Sequence, residues 1–342
     1  MDLIRPTSPQ ETADALAEAS RGGRAVAVRG AGRHTGYAPD ADPELIIDTT
    51  GMDAVVSYEP AEMIVVVEAG MRVGALAERM ADGRQEWATD APAEATVGGV
   101  LAVALNSPRR LKVGPIRDSL LEVVLATGDG RLVRGGGRVV KNVTGYDLPR
   151  LAVGSLGTLG VITQVAIKVR PLPRATRTLG WSTDDPLGLC SRLLEAVPLP
   201  AAVLATPGRV TLRLEGWAEE IAEQAELAAK LARPDDDGDT PLPAPWTERP
   251  HQIECSVPPS QVMDLSPPGR WGALLGVGTC WAGADDADQL ASWAAGLPDG
   301  SVRRIAGEVT LPSPTLPARD VQRRLKRSFD PADILPAPAG LR

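Results

Sequence analysis

The stretch VAVRGAGRHTGYAPDADP, Val26 to Pro43, constrains the fold more than any other part of the chain. A strand pattern, VAVR, runs into Gly30-Ala31-Gly32, where the lack of bulky side chains lets the backbone turn sharply and bring successive N–H groups close to an anion. A doubly wound α/β fold would follow such a strand with GxGxxG opening a helix, whose N-terminus faces the anion. Here the spacing is GxGxxxG, from Gly30, Gly32 and Gly36, and Pro39 and Pro43 leave no room for that helix. The doubly wound reading is therefore set aside.

Two further glycine-rich turns bear on the same question. DAPAEATVGGVLAVALNS contributes Thr96, Gly98 and Gly99, and VGSLGTLGVITQV contributes Gly154, Gly157 and Gly160, with Ser155 and Thr158, ahead of a strand. One such turn is compatible with an ordinary link between strands. Three of them beside apolar segments predict loops that converge on one large flat ligand, and a flavin dinucleotide meets that requirement, with its pyrophosphate at the first loop.

The 342 residues, 43% of them hydrophobic, exceed what one core usually organises and predict two domains. Lys+Arg 36 against Asp+Glu 44 gives a net charge of −8 without a long basic run, so no nucleic-acid partner is expected. Cys190, Cys255 and Cys280 stand far apart without CxxC or Cys/His spacing, which argues against zinc, an iron–sulfur cluster or a disulfide framework, and no metal site is predicted. The N-terminal MDLIRPTSPQETADAL lacks a signal-peptide core, and no apolar run of about 18 residues occurs. These features predict a cytoplasmic protein with no direct membrane insertion, and docking to a membrane-bound partner stays open.

Ser8, Pro9 and Glu11 predict a helix start with a capping box, the helix ending at Gly22-Gly23. RAVAVR, ELIIDT, VVSYE and MIVVVEAG read as strands, followed by a helix RVGALAERM, which is an α+β pattern. In GVITQVAIKVRPLP, Val161, Thr163, Val165, Ile167 and Val169 share one face of a strand that ends at Pro171. Residues 175 to 315 carry fewer motifs, and LARPDDDGDTPLPAPWTERP reads as a long surface loop or partly disordered insert. ARDVQRRLKRSFDP places Val321, Leu325 and Phe329 on one helical face, with Arg323, Arg324, Lys326 and Arg327 mostly turned away as a solvated face or a docking surface.

The string from Asn106 to Pro173, through KNVTGYD and VGSLGTLGVITQV, resembles the FAD-binding superfamily of vanillyl-alcohol oxidase and p-cresol methylhydroxylase. Within it, the chain looks like the FAD-binding E subunits of bacterial glycolate oxidases, densely from about residue 20 to 173 and again in RRLKRSFDPADILP. The resemblance implies an α+β fold with a two-subdomain FAD-binding domain over residues 1–174, an α+β cap domain over 175–315, and a C-terminal segment, 316–342, returning to the first domain. It implies that Arg29, Gly30, Ala31, Gly32, Arg33 and His34 form the pyrophosphate loop. Asp90, Thr96, Val97, Gly98 and Gly99 would then lie beside the pyrophosphate and flavin, and Asn106 and Ser107 near the ring system. Gly154, Gly157, Thr158, Gly160, Val161 and Ile162 would serve the adenosine side through backbone contacts. Lys141, Asn142, Gly145, Tyr146 and Asp147 match the family's KNVxGYD string in a structural role, while Arg109, Arg110 and Arg117 either face an anionic substrate or partner or form salt bridges.

The chain also departs from the catalytic subunits of that superfamily, which typically carry a histidine-rich string supplying a metal site and a base. Of its two histidines, His34 lies in the loop and His251 is isolated, and Leu156 stands where the catalytic sister typically has Glu. No catalytic residue is assigned. The resemblance implies an FAD subunit of a glycolate oxidase complex that converts a small 2-hydroxy acid, glycolate, to glyoxylate, with a catalytic flavin subunit and an iron–sulfur subunit as partners. A stand-alone FAD oxidoreductase for another 2-hydroxy acid or alcohol, and a non-catalytic flavin-binding scaffold, are the alternatives. The FAD is expected to be non-covalent, because superfamily members with a histidyl link place it directly after the loop's last glycine, where this chain has Arg33.

Overall fold

Capping chemistry sets the first helix. Ser8 accepts from the N–H of Glu11 at 3.2 Å, Pro9 occupies the first helical position, and Gly23 closes Pro9–Gly22 in the left-handed region at φ 63°. The capping box closes one residue earlier than expected: the Glu11 carboxylate accepts from the N–H of Thr7 at 2.8 Å, not from Ser8.

The computed structural model describes every residue except 38, 40, 139–145, 299, 300, 313, 315, 316, 338–340 and 342. The chain divides into two compact units, Met1–Ser107 with Pro115–Leu172 and Thr315–Arg342, and Pro108–Gly114 with Pro173–Pro314. The assignment of Pro108–Gly114 to the second unit corrects the expected unbroken first domain. Its physical reason is charge and packing: Arg109 lies 3.2 Å from the Glu215 carboxylate, Lys112 donates to the Glu215 carbonyl oxygen, and Leu111 packs on Gly276.

In the first unit, strands β1 (Asp2–Ile4), β2 (Val26–Arg29) and β3 (Leu45–Asp48) form a parallel sheet in the order β1-β3-β2. An antiparallel sheet contains β4 (Val55–Glu59), β5 (Ile64–Glu68), β7 (Leu120–Ala126), β8 (Leu132–Gly136) and β9 (Val161–Lys168) in the order β4-β5-β9-β7-β8, while β6 (Gln85–Glu86) pairs with β10 (Arg170–Pro171). The helix Pro9–Gly22 buries Ala13, Leu16 and Ala19 against Val26, Ile47 and Val161. Strand β9 is buried on both faces. A register shift opposite Val124 and Leu125 re-aims it, so that Val161 joins this cluster while its neighbour Ile162 belongs to the larger core with Val165 and Ile167.

The C-terminal helix Arg319–Phe329 differs from its expected apolar face. Val321 is 53% exposed, whereas Lys326, expected to turn away, is buried and pairs with Asp330, which also accepts from the N–H groups of Ile334 at 3.1 Å and Leu335 at 2.8 Å. Burial of a lysine stem is favourable when its ammonium finds a carboxylate, and helical spacing alone does not reveal that partner.

The second unit is an antiparallel sheet of β11 (Ala175–Ser182), β12 (Ala202–Thr206), β13 (Arg209–Gly216), β14 (Asp236–Gly238), β15 (His251–Ser256), β16 (Arg270–Leu274), β17 (Thr279–Ala284) and β18 (Val302–Ala306), ordered β14-β11-β13-β12-β16-β17-β15-β18. Strand alternation separates two clusters: Val203 and Ala205 pack with Cys190, Leu193 and Ile221 of the helices Pro186–Ala196 and Ala218–Leu231, and Ala202 and Leu204 pack with Trp246 and Trp281. The acidic stretch expected as a loose insert is tied down. Asp237 takes two bonds from Arg177, at 2.7 and 2.6 Å, Asp236 pairs with Arg209 and Asp239 with Arg213, and Trp246 stacks on Trp281 with ring centroids 4.8 Å apart. All three cysteines are buried thiols, and no helix among the described residues is long and apolar enough to cross a membrane.

Candidate functional site

Parallel pairing of β2 with β3 places Arg29 opposite Asp48, and the residues that leave both strand ends, Gly30 and Thr49, sit side by side. Asp48 binds Arg29 at 3.3 Å and Arg5 at 3.4 Å, and accepts from the hydroxyl of Thr50 at 2.6 Å and its N–H at 3.0 Å. Burial pushes its carboxyl up, but the Thr50 bonds and the two arginines outweigh burial and hold it below the usual carboxylate range. The loop therefore starts from a fixed point, and the Arg29 guanidinium is occupied in holding it.

From there the chain presents backbone. Among the described residues, none accepts a hydrogen bond from the N–H groups of Ala31, Gly32, Arg33 or His34. Gly32 has φ 71°, and a Cβ built there would meet nothing within 4 Å, so the cradle is open at this point. Opposite stands the helix Val97–Ala102, capped by Thr96, whose Oγ accepts from the Gly99 N–H at 3.2 Å. Gly98 serves a different need: a Cβ there would stand 2.8 Å from the Cβ of Ala69, so the glycine lets helix and sheet meet. The third turn is fastened to this helix by the N–H groups of Gly154 and Leu156, which donate to Leu101 at 3.0 Å and Ala102 at 2.9 Å.

These elements line a cleft with about 780 Å³ of empty space, counting the part open to solvent. Of the expected site residues, Arg29, Gly30, Ala31, Gly32, Arg33, His34, Thr96, Gly98, Gly99, Gly157, Gly160 and Ile162 line it. Val97 and Val161 lie in the hydrophobic cores instead, and Thr158 donates to the Ser155 carbonyl oxygen at 2.7 Å. Asp90 accepts from the Ser107 hydroxyl, while the Asn106 side chain accepts from the Ile116 N–H at 2.9 Å and donates to the Ala104 carbonyl oxygen at 3.2 Å. These three, with Gly154, are not part of the lining.

Val28, Thr35, Thr49, Ala102, Val103 and Leu156 also line the cleft, although sequence reasoning does not single them out as site residues. Thr49 has a usable signal, since loops leaving the same end of adjacent parallel strands are neighbours. Leu156 has none, because it reaches the cleft through a left-handed turn at φ 54° that its sequence does not announce.

His34 contributes the one ionisable imidazole of the lining. Its Nε2 is buried and has no partner among the described residues, and burial lowers its pKa below the usual imidazole value. Arg33 lies 3.9 Å from Glu94, and Arg72 donates to the Glu94 carbonyl oxygen. Four N–H donors and an imidazole nitrogen without partners among the described residues at one end, with Val28, Val103, Leu156 and Ile162 as apolar wall, fit a ligand with an anionic centre and a flat apolar ring system.

Arg109 is engaged with Glu215, and Arg117 lies 3.6 Å from Asp118. Lys141, Asn142 and Gly145 lie outside the described residues; Tyr146 is 95% exposed, and Asp147 caps the helix Leu148–Ala152 by accepting from the Arg150 N–H at 3.0 Å. Among the described residues, no group of three His, Cys, Asp or Glu side chains could hold a metal ion.

Residues 3–136 match the family model described as FAD binding domain. Glycolate oxidase subunit GlcE of Escherichia coli is 36% identical over 179 residues, 51% of this chain and 51% of that protein. Glycolate oxidase subunit GlcD of Bacillus subtilis is 48% identical over 86 residues, 25% of this chain and 18% of its own, and D-lactate dehydrogenase of Archaeoglobus fulgidus is 31% identical over 175 residues, 50% and 39%. The chain spans about half or less of the length of these curated relatives. A solved alkyldihydroxyacetonephosphate synthase superposes on 97% of this chain and 76% of its own with a TM-score of 0.69 at 14% identity, a likeness of fold alone. The chain thus carries an FAD-binding domain in an α+β protein and is similar to the glycolate oxidase E subunit.

Proposed function

We propose that this chain is the FAD-carrying subunit of an enzyme that oxidises the CH–OH group of a small 2-hydroxy acid, glycolate to glyoxylate, with FAD held non-covalently in the cleft. The observation that carries the reading is the run of N–H groups from Ala31 to His34 that find no acceptor among the described residues and lie inside the stretch matching the FAD binding domain. When bound in this chain, FAD would supply a two-electron redox centre between the catalytic flavin subunit and an iron–sulfur partner.

The loop amides would receive the pyrophosphate, and Val28, Val103, Leu156 and Ile162 would keep water from the apolar part of a bound dinucleotide. Oxidation of a hydroxy acid also needs a base for the hydroxyl proton. In this reading His34 serves the pyrophosphate end of the cleft, and His251 Nδ1 accepts from the Glu308 N–H at 3.2 Å in the second unit, so neither histidine is assigned as that base. Proton removal therefore falls to a catalytic flavin subunit and onward electron transfer to an iron–sulfur subunit. The relatives named as glycolate oxidase subunits support that division of labour.

The test compares the purified chain with its complex, using glycolate and a dye acceptor. The chain alone is expected to be yellow, to release its colour on acid precipitation, and to reduce dye far below the about ten turnovers per second of a typical enzyme, which the complex reaches. Rapid bleaching of the isolated chain by glycolate would establish a stand-alone oxidoreductase instead. A colourless chain that takes up no FAD would leave only a scaffold.

A further inference from the structure

We propose that His34 makes retention of FAD depend on pH, its imidazole taking up a proton as the pyrophosphate binds and donating from Nε2 to a phosphate oxygen. This rests on the reading that FAD occupies the cleft. Three observations carry it. His34 ends the run of free loop amides and lines the cleft, and its buried Nε2 has no partner among the described residues. A buried polar atom left in that state is costly unless a ligand supplies its partner. The ring is also confined, edge-on to Tyr37 with centroids 6.2 Å apart, and its Cδ2 lies 3.9 Å from where a Cβ at Gly99 would stand.

The charges around His34 set the sign. On its own loop, Arg29 is tied to Asp48 and Arg33 faces Glu94; the turn Thr35–Tyr37 brings only the Tyr37 phenol; and the helix Val97–Ala102 has no ionisable side chain. No described carboxylate pairs with the imidazole, so burial favours its neutral form in the free chain. A pyrophosphate diester brings negative charge that does not titrate near neutrality, and this raises the His34 pKa in the complex. Binding then takes up a proton wherever the pH lies between the free and bound values. In that window affinity rises as pH falls, by up to about tenfold per pH unit.

The experiment titrates the FAD-free chain with FAD, read by flavin fluorescence, from about pH 5.5 to about pH 8.5, the span in which imidazoles change charge. Wild type is expected to bind about tenfold tighter at the acid end. His34→Gln keeps an N–H donor but cannot titrate, so it binds FAD with a flat profile, whereas His34→Leu binds more weakly at every pH. His251→Gln retains the wild-type slope, and thermal melts of each variant establish that it folds. A flat wild-type profile, or an unchanged slope in His34→Gln, overturns the proposal while leaving FAD in the cleft. No FAD binding by wild type at any pH overturns the proposed function itself.

Discussion

Replacing Gly32 with Ala separates the anion cradle from the protein's own packing. The added methyl meets nothing within 4 Å, so its cost to the ligand-free chain is the torsional strain of an L-residue at φ 71°, about 1–2 kcal/mol. FAD at a hundredfold excess over its dissociation constant adds about 2.7 kcal/mol to the wild type by linkage. If the methyl in the cradle weakens FAD by about a hundredfold, the same FAD concentration adds only about 0.4 kcal/mol, and the variant with FAD present lies about 3–4 kcal/mol below wild type. Gly98→Ala is the contrasting case. Its methyl would stand 2.8 Å from the Ala69 Cβ and 3.0 Å from its carbonyl oxygen, an overpacking cost of about 1–3 kcal/mol whether or not FAD is present. The assay is denaturant unfolding with and without FAD, and the readout is the increment that FAD adds. A Gly32→Ala variant that keeps the full increment would refute the cradle.

Asp330→Asn should cost about 3–5 kcal/mol, because it leaves the buried Lys326 ammonium with the Leu335 carbonyl oxygen and, as its anion, the exposed Asp333 carboxylate 3.6 Å away; urea unfolding checks this, and a loss under about 1 kcal/mol would contradict it. Trp246→Ala should cost the second unit about 3–5 kcal/mol by removing a buried ring stacked on Trp281, while FAD uptake by the first unit persists. Calorimetry that resolves the two units, with a parallel FAD titration, measures both effects.

The local grammar of the first unit was legible because it depends on neighbours in sequence. Ser8, Pro9 and Gly23 delimit a helix by backbone chemistry, and the β-branched runs around Ile46, Val66 and Val165 are strands. That Gly30 to His34 line one cleft together follows for the same reason, since they form one contiguous segment. What escaped depends on partners distant in the chain. The aspartates after Arg233 resemble a disordered tract until β14 lays them beside Arg177, Arg209 and Arg213 of other strands, and Lys326 looks like surface charge until Asp330 and the Leu335 carbonyl oxygen meet it. Asp90, Asn106 and Ser107 read as ligand contacts; in the fold the Ser107 hydroxyl donates to Asp90, and the Asn106 side chain bonds Ala104 and Ile116. Short polar side chains that hold a loop and those that hold a ligand look alike in one dimension.

The Pro108–Gly114 excursion also bears on how such a protein is inherited and engineered. Because that segment lies within the span of the first unit in the chain but packs with the second, neither unit is one uninterrupted cassette. A gene fragment encoding only residues 173–314 would strip Glu215, whose carboxylate is 1% exposed, of Arg109 and leave Arg213, 3.7 Å away, as its cation. Recombination that swaps the second unit between relatives must therefore carry two separate stretches of coding sequence together, which favours divergence of this unit in place over its exchange as a module.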